Sequence, residues 1–294
     1  MKAAPFDYVA VSSVDDVLDQ LACGGDDAMI LAGGQTLVPM LVMRLARPSI
    51  LIDINNVNEF SGVDEADGVV RIKTCTRQSA ALLSAAVLKK LPLLAKAMRF
   101  IGHHQTRNRG TFGGSVANGD PAAEIPLISV ALDATITLRS KETSRTELAG
   151  NFYEGPMITK RGVNECLIDV TFPIWNGGGR LGTSFQEVSQ RQGDFAVVSA
   201  AAQILLDDAG VCRRIALALG GVGGVPIRLK DAELIFTSNT ISAELIGDAL
   251  QDMEAALDPA NDTIASADYR LRVARVMIER VIREAVSDAG GTIN

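Results

Sequence analysis

Cysteine and histidine are scarce in this chain, and their placement excludes several chemistries. The four cysteines, Cys23, Cys75, Cys166 and Cys212, stand singly, with no Cys-x-x-Cys pair. An iron–sulfur cluster needs thiolates gathered together, so each cysteine reads as a small buried hydrophobe. The only histidines, His103 and His104, are adjacent. Adjacent side chains diverge on a helix or strand, which is poor geometry for a shared metal. The chain reads as metal-free, and redox chemistry would then need an organic cofactor. Basic charge is also short: 28 Lys and Arg face 35 Asp and Glu, a net charge of −7. That excludes a basic face for displacing phosphate counterions, and with it a nucleic-acid partner. Long apolar runs are missing. The longest charge-free stretch, Ala28 to Met43, has 16 residues and is broken by Gly33, Gly34 and Pro39, too short to span a bilayer. No secretory signal is legible at the N-terminus, so the sequence predicts a cytoplasmic protein.

What is present is ample core material: 47% of the 294 residues are hydrophobic and 21% charged, a globular balance. Ser13 is a candidate N-cap for a helix with Val14, Val17, Leu18 and Leu21 on one face. Strands are expected at Ala28–Ala32 and Ser49–Ile54, with a short helix from Leu37 to Leu45 between them. Together these predict a β-α-β-α-β unit built on a parallel sheet. A second region should carry strands at Val69–Lys73, Ala134–Leu138 and Leu167–Pro173, with helices over Ser79–Leu88, after Pro92, and from Asp120-Pro121 to Leu132. Between them Gly102 to Gly119 reads as a long loop, of a length that is usually functional. Gly177-Gly178-Gly179 reads as a linker. Beyond it, Phe195–Leu206 leaves helix and strand open, Val211–Leu219 favours strand, and helices close the chain near Ser242–Leu257 and Tyr269–Ser287.

Two glycine motifs carry the chemistry. Ala32-Gly33-Gly34-Gln35-Thr36 lies where a strand runs into a helix, and Thr111-Phe112-Gly113-Gly114-Ser115 lies inside the long loop. Glycine permits positive φ and close approach of a ligand to the backbone, and the amides that follow can bind an anion. Either pair alone is as well explained by a tight turn. Both together, each beside hydroxyls, favour a diphosphate ligand. A third run, Gly177 to Gly182, meets the G-x-G-x-x-G spacing. It lacks the apolar helix and the later acid of a dinucleotide fingerprint, so the linker reading prevails.

These motifs, with Arg44-Leu45-Ala46-Arg47-Pro48, the segment Ile101 to Ser115, Asp120-Pro121-Ala122-Ala123-Glu124 and Arg191-Gln192-Gly193-Asp194-Phe195-Ala196, closely resemble one family over nearly the whole chain. It is the FAD-binding medium subunit of the molybdenum hydroxylases, which includes carbon monoxide dehydrogenase and the xanthine dehydrogenases. The resemblance implies an α+β protein. Two α/β FAD-binding subdomains of the vanillyl-alcohol-oxidase type, residues 1–56 and 57–176, would precede a C-terminal domain, 177–294, of three-stranded antiparallel sheet and helices. It implies FAD held by Ala32, Gly33, Gly34, Gln35, Thr36, Thr111, Phe112, Gly113, Gly114 and Ser115. Asp120 would meet cofactor hydroxyls or cap the next helix, Leu167 would contact the rings or serve as plain core, and Phe185 would cover the flavin where many relatives have Tyr. The implied partners are a large subunit with a molybdenum cofactor and a small subunit with two [2Fe–2S] clusters, in a dimer of heterotrimers. No residue of this chain is expected to be catalytic. The substrate would be hydroxylated elsewhere, an aromatic N-heterocycle being one class the resemblance admits. Two other readings compete: a stand-alone FAD oxidoreductase using His103, His104 or Glu124 as acid or base, and a nucleotide-binding structural subunit without redox activity.

Overall fold

The computed structural model describes residues 2–293. It opens with a three-stranded parallel sheet of β1 (Asp7–Ala10), β2 (Ala28–Leu31) and β3 (Ile50–Asp53), with β3 in the centre. Helix α1 (Val14–Gly24) starts where Ser13 Oγ accepts the Asp16 amide at 3.1 Å. It ends where Gly25 takes a φ of +52°, a conformation cheap only for glycine. Val17, Leu18 and Leu21 bury its inner face. Helix α2 (Leu37–Val42) joins β2 to β3 and is shorter than its apolar stretch suggested.

The second sheet is antiparallel, of β4 (Val63–Ala66), β5 (Val69–Lys73), β6 (Thr135–Arg139), β7 (Ser144–Leu148) and the later strand Cys166–Pro173, in the order β4-β5-(166–173)-β6-β7. The expected helix over Ser79–Leu88 is two pieces, α3 (Gln78–Leu83) and α4 (Ala85–Lys90), broken at Ser84 in extended geometry; α5 (Pro92–Ala97) follows. The long loop is not a loop. It holds α6 (His104–Arg109) and α7 (Phe112–Asn118). Helix propensity is poor in a segment with paired glycines, but Phe112 and Val116 are fully buried, and packing overrides propensity. Helix α8 starts at Glu124, later than expected, and runs to Ala131. A short helix α9 (Ala149–Phe152) and a small hairpin of β8 (Tyr153–Gly155) and β9 (Ile158–Thr159) lead into β10 (Cys166–Pro173), the strand at the centre of this sheet.

The third sheet has four antiparallel strands in sequence order: β11 (Arg180–Val188), β12 (Val198–Leu206), β13 (Cys212–Gly220) and the two-residue β14 (Ile227–Arg228). It thus exceeds the expected three strands by one short edge. Both ambiguous apolar segments are strands. Every residue of β12 is buried, with Ala201 and Leu205 in one core cluster and Val198, Ala200, Ala202, Ile204 and Leu206 in another. A strand covered on both faces has no reason to alternate, which is why its periodicity was silent. Helices α10 (Lys230–Phe236), α11 (Ala243–Ala249) and α12 (Ala267–Asp288) complete the chain. Gly182 of the failed fingerprint lies inside β11; an added Cβ there would stand 2.0 Å from the Ala285 carbonyl oxygen. That glycine lets α12 press against the sheet. Among the described residues no helix is long and apolar enough to cross a membrane. Cys75, Cys166 and Cys212 are buried as expected, while Cys23 is exposed, a correction to the uniform reading of the four.

Candidate functional site

The two glycine segments, some eighty residues apart in sequence, meet in space. An added Cβ on Gly33 would stand 2.6 Å from the Arg109 carbonyl oxygen and 2.9 Å from the Thr111 amide nitrogen. On Gly114 it would meet Thr111 Oγ1 at 2.5 Å and the Ala32 Cβ at 3.8 Å. Only glycine allows this approach of backbone to backbone.

Their amides differ in state. Among the described residues, those of Gly33, Gly34, Gln35 and Thr36 donate to no protein acceptor. Gly34 turns through a φ of +70°, and the Gln35 amide group folds back onto the Gly33 carbonyl at 3.1 Å. Consecutive unpaired amides beside a positive-φ turn form a concave donor surface for an anion. Thr111 to Ser115 behaves otherwise, contrary to the expectation of exposed amides. The Phe112 amide donates to Thr76 O, Gly113 to Thr74 O, Ser115 to Thr111 O, and Gly114 to Thr111 Oγ1 at 3.2 Å. Thr111 is the N-cap of α7; its Oγ1 accepts the Gly114 amide, and its O–H is left to donate. Gly113 is a packing glycine, since a Cβ there would fall 2.0 Å from Thr74 Oγ1. Phe112 is core, fully buried with its ring 5.9 Å from that of Phe172. The second segment therefore offers the Thr111 and Ser115 hydroxyls and the wall against which the first is set.

Asp120 neither caps α8 nor lies open. Its Oδ1 accepts the Ala122 amide at 2.9 Å in a tight turn, and Ala123 precedes the helix. Burial pushes its carboxyl upward despite that hydrogen bond. Leu167 is 2% exposed in β10, in register with Leu138, packed into the core. Phe185 is 6% exposed on the regular strand β11 and belongs to the same core cluster. Its polar neighbours do not mark irregular backbone. Ser184 and Gln186 point to the other face, where both donate to Glu284 of α12.

Phe185 also lines a cleft of about 1370 Å³ between α5–α6 and the third sheet, with Lys96, Phe100, His103, Arg107 and Glu187. On its wall, Glu187 Oε2 is buried without a hydrogen-bond partner, and burial pushes its carboxyl up to about 7. Glu124, at the start of α8, is 6% exposed. Burial first, then the nearby charges of Glu187 and Asp120, push it up to about 8 against the opposing pull of a backbone hydrogen bond and Arg107. Of the acid–base candidates, His104 is exposed and bonded to Asn108, His103 borders the cleft, and Glu124 is buried. Glu187 escaped the sequence reading as a site residue because nothing in its neighbours marks burial. Among the described residues no three His, Cys, Asp or Glu side chains are grouped to hold a metal ion. The run of free amides fits an anionic diphosphate, and the orphaned Glu187 oxygen fits a donor on a polar ligand.

Comparison with known proteins identifies the family. The family described as FAD binding domain in molybdopterin dehydrogenase matches residues 4–175, and the CO dehydrogenase flavoprotein C-terminal domain matches residues 183–285. The 6-hydroxypseudooxynicotine dehydrogenase complex subunit alpha of Paenarthrobacter nicotinovorans is 38% identical, over 99% of this chain and 98% of that protein. The nicotine 6-hydroxylase medium subunit of the same organism is 34% identical, over 97% and 99%. Among solved structures, carbon monoxide dehydrogenase of Hydrogenophaga pseudoflava superposes with a TM-score of 0.94 at 32% identity, covering 98% of this chain and 99% of that one. Quinoline 2-oxidoreductase of Pseudomonas putida 86 gives 0.91 at 33%, with 98% and 99% covered. With both halves of the chain matched and relatives aligned end to end, this protein belongs to the FAD-binding medium subunits of the molybdenum hydroxylases.

Proposed function

We propose that this chain is the electron-transfer station of a three-subunit hydroxylase. Its FAD accepts electrons from two [2Fe–2S] clusters in a small partner and passes them to an external acceptor, while a large molybdenum-bearing partner hydroxylates the substrate. The observation that carries the reading is the unpaired amide run from Gly33 to Thr36, set against the Thr111–Ser115 segment. In this reading the run holds the diphosphate, Ser115 and Asp120 lie toward the sugar and ribityl hydroxyls, and Phe185 covers one face of the ring system in the cleft. The flavin supplies two-electron and one-electron redox chemistry; the protein binds it, orients it and excludes water.

Four relatives whose printed names refer to nicotine-derived, caffeine or quinoline substrates support an aromatic N-heterocycle as the substrate class. We place the complex in the cytoplasm, since the four cysteines are all free thiols, as a reducing compartment keeps them. A pair of heterotrimers is the assembly proposed. The test is co-expression of the three subunits, followed by flavin and metal analysis and by mixing with N-heterocycles under anaerobic conditions. Flavin bleaching that requires both partners supports the reading. Bleaching in the single chain would instead favour a stand-alone oxidoreductase, and a complex without flavin would sink the proposal.

A further inference from the structure

An anion cradle made of two separate segments works only if the gap between them is fixed. The segments themselves contain paired glycines, the least restrained residues in the chain. The restraint comes from outside both motifs. Asn55, just after β3, donates from Nδ2 to the Ala32 carbonyl at 2.9 Å. Arg77, just before α3, donates from Nη1 to the Arg109 carbonyl at 2.5 Å. The two are joined directly, Arg77 Nη2 to Asn55 Oδ1 at 2.7 Å. Ala32 precedes Gly33, and Arg109 is the residue whose carbonyl the Gly33 backbone abuts. The carbonyls being held are thus those on either side of the contact.

We propose that Asn55 and Arg77 are positioning residues, a hydrogen-bonded strut that sets the spacing of the two glycine segments and the direction of the Gly33 amide. The inference rests on reading those segments as the FAD cradle. The directional part follows from peptide planarity. In a trans peptide the carbonyl of Ala32 and the N–H of Gly33 point opposite ways. Fixing that carbonyl on Asn55 therefore turns the Gly33 amide away from Asn55, toward the free side of the loop.

The strut is itself anchored. Asp53 Oδ1 accepts from Asn55 Nδ2 at 2.6 Å and from the Asn55 amide at 2.9 Å, and Tyr8 Oη donates to Asp53 Oδ2 at 2.6 Å. Burial opposes charge on Asp53, but the bonds from Tyr8 and Asn55 and the Arg77 charge outweigh it and hold its carboxyl below the usual range. Every polar atom of the Asn55 side chain thus has a partner that fixes which end is oxygen and which is nitrogen. Asn55 and Arg77 both line a cavity of about 390 Å³, and their side-chain bonds run to the carbonyls of the two segments.

The full-length chain, stripped of flavin, is titrated with FAD, and its thermal midpoint is measured without FAD. Arg77→Lys keeps the charge but cannot reach two acceptors as a planar fork does. Asn55→Asp keeps the shape but turns both Nδ2 donors into acceptors facing Ala32 O and Asp53. Each should weaken FAD binding about tenfold or more, the scale of losing one charge-assisted hydrogen bond. The midpoint without FAD should stay within a few degrees for Arg77→Lys. Should Asn55→Asp fail to fold, Arg77→Lys alone decides. FAD affinity unchanged in Arg77→Lys overturns the proposal, and so does an affinity loss matched by collapse of the midpoint, which marks a merely structural bond. Gly114→Val separates the two levels. If it abolishes FAD binding while Arg77→Lys is silent, the strut fails and the cradle stands. If it binds FAD normally, the cradle reading fails, and the strut with it.

Discussion

The ring of Phe185 on β11 lies 5.1 Å from that of Phe100 at an interplanar angle of 57°. Phe100 follows α5 and is partly exposed, whereas Phe185 is 6% exposed, so the pair bridges the FAD-binding region and the C-terminal domain at the edge of the cleft. Phe185 has two duties, core packing and lining of the cleft. Tilted aromatic pairs contribute about 0.5–1.5 kcal/mol beyond area burial.

Phe185→Ala should therefore lower stability by about 3 kcal/mol, the usual cost of emptying a buried aromatic site, and also weaken FAD retention. The expected signature is partial FAD occupancy and faster reoxidation of reduced flavin by oxygen. Phe185→Tyr should retain FAD fully. If Phe185→Ala destabilises the fold but leaves occupancy and reoxidation untouched, the residue is core alone.

Gly33→Val and Gly114→Val should both remove FAD, for different reasons. A side chain at Gly33 drives the first segment off the Arg109 carbonyl; one at Gly114 breaks the Thr111 cap and points toward Ala32. Acid precipitation of each variant after refolding with excess FAD should release no flavin. Gly68→Ala, at a turn with open space around it but a φ of +78°, should keep full occupancy at a small stability cost.

The pH dependence of the chain without flavin should carry the mark of Glu124 and Glu187. Both hold a proton more tightly when folded than unfolded, so acid favours the folded state. For Glu124 the stabilisation is complete below its ordinary value of 4.5 and is lost as pH rises through about 8. Each pKa unit is worth about 1.4 kcal/mol, so denaturant midpoints should fall between pH 5 and pH 8 values of the buffer by an amount easily read. Glu124→Gln should flatten most of that slope and leave the variant more stable than the parent at pH 8. A slope unchanged in Glu124→Gln would place the titration elsewhere.

The isolated chain, loaded with FAD, should show no substrate-dependent bleaching with any N-heterocycle, and dithionite should bleach it completely. Turnover by the single chain would refute the division of labour proposed above.

Much of this was legible in the sequence because local signals agreed with the fold. Ser13 caps α1, and Ser242 likewise caps α11. The first parallel unit followed from short apolar runs separated by one amphipathic helix. The glycine motifs were legible as a pair, but their roles were not. Sequence shows that Gly113 has no side chain; it cannot show that Thr74 occupies the space. The two helices inside Gly102 to Gly119 were hidden for a related reason, since they exist by tertiary burial of Phe112 and Val116 against weak local propensity. Asn55 and Arg77 were invisible because their function is a distance between two other segments. Asn55 stands in the run Asn55-Asn56-Val57-Asn58, which signals no more than a turn, and nothing beside Arg77 marks it.

Strand β12 is shared property. One side of it, with Phe185, Ala201, Leu205, Ala216 and Ala218, completes the core beneath the second sheet, and the other completes the core under α12. Asp133, at the end of α8, also pairs with both Arg214 and Arg228 of the third sheet, while Arg214 lies 4.0 Å over the ring of Trp175. The glycine run at Gly177–Gly179 therefore separates two regions of sequence but not two independent folding units. Cutting the chain there would strip each half of part of its interior, and the halves should be recovered as a native complex only when expressed together.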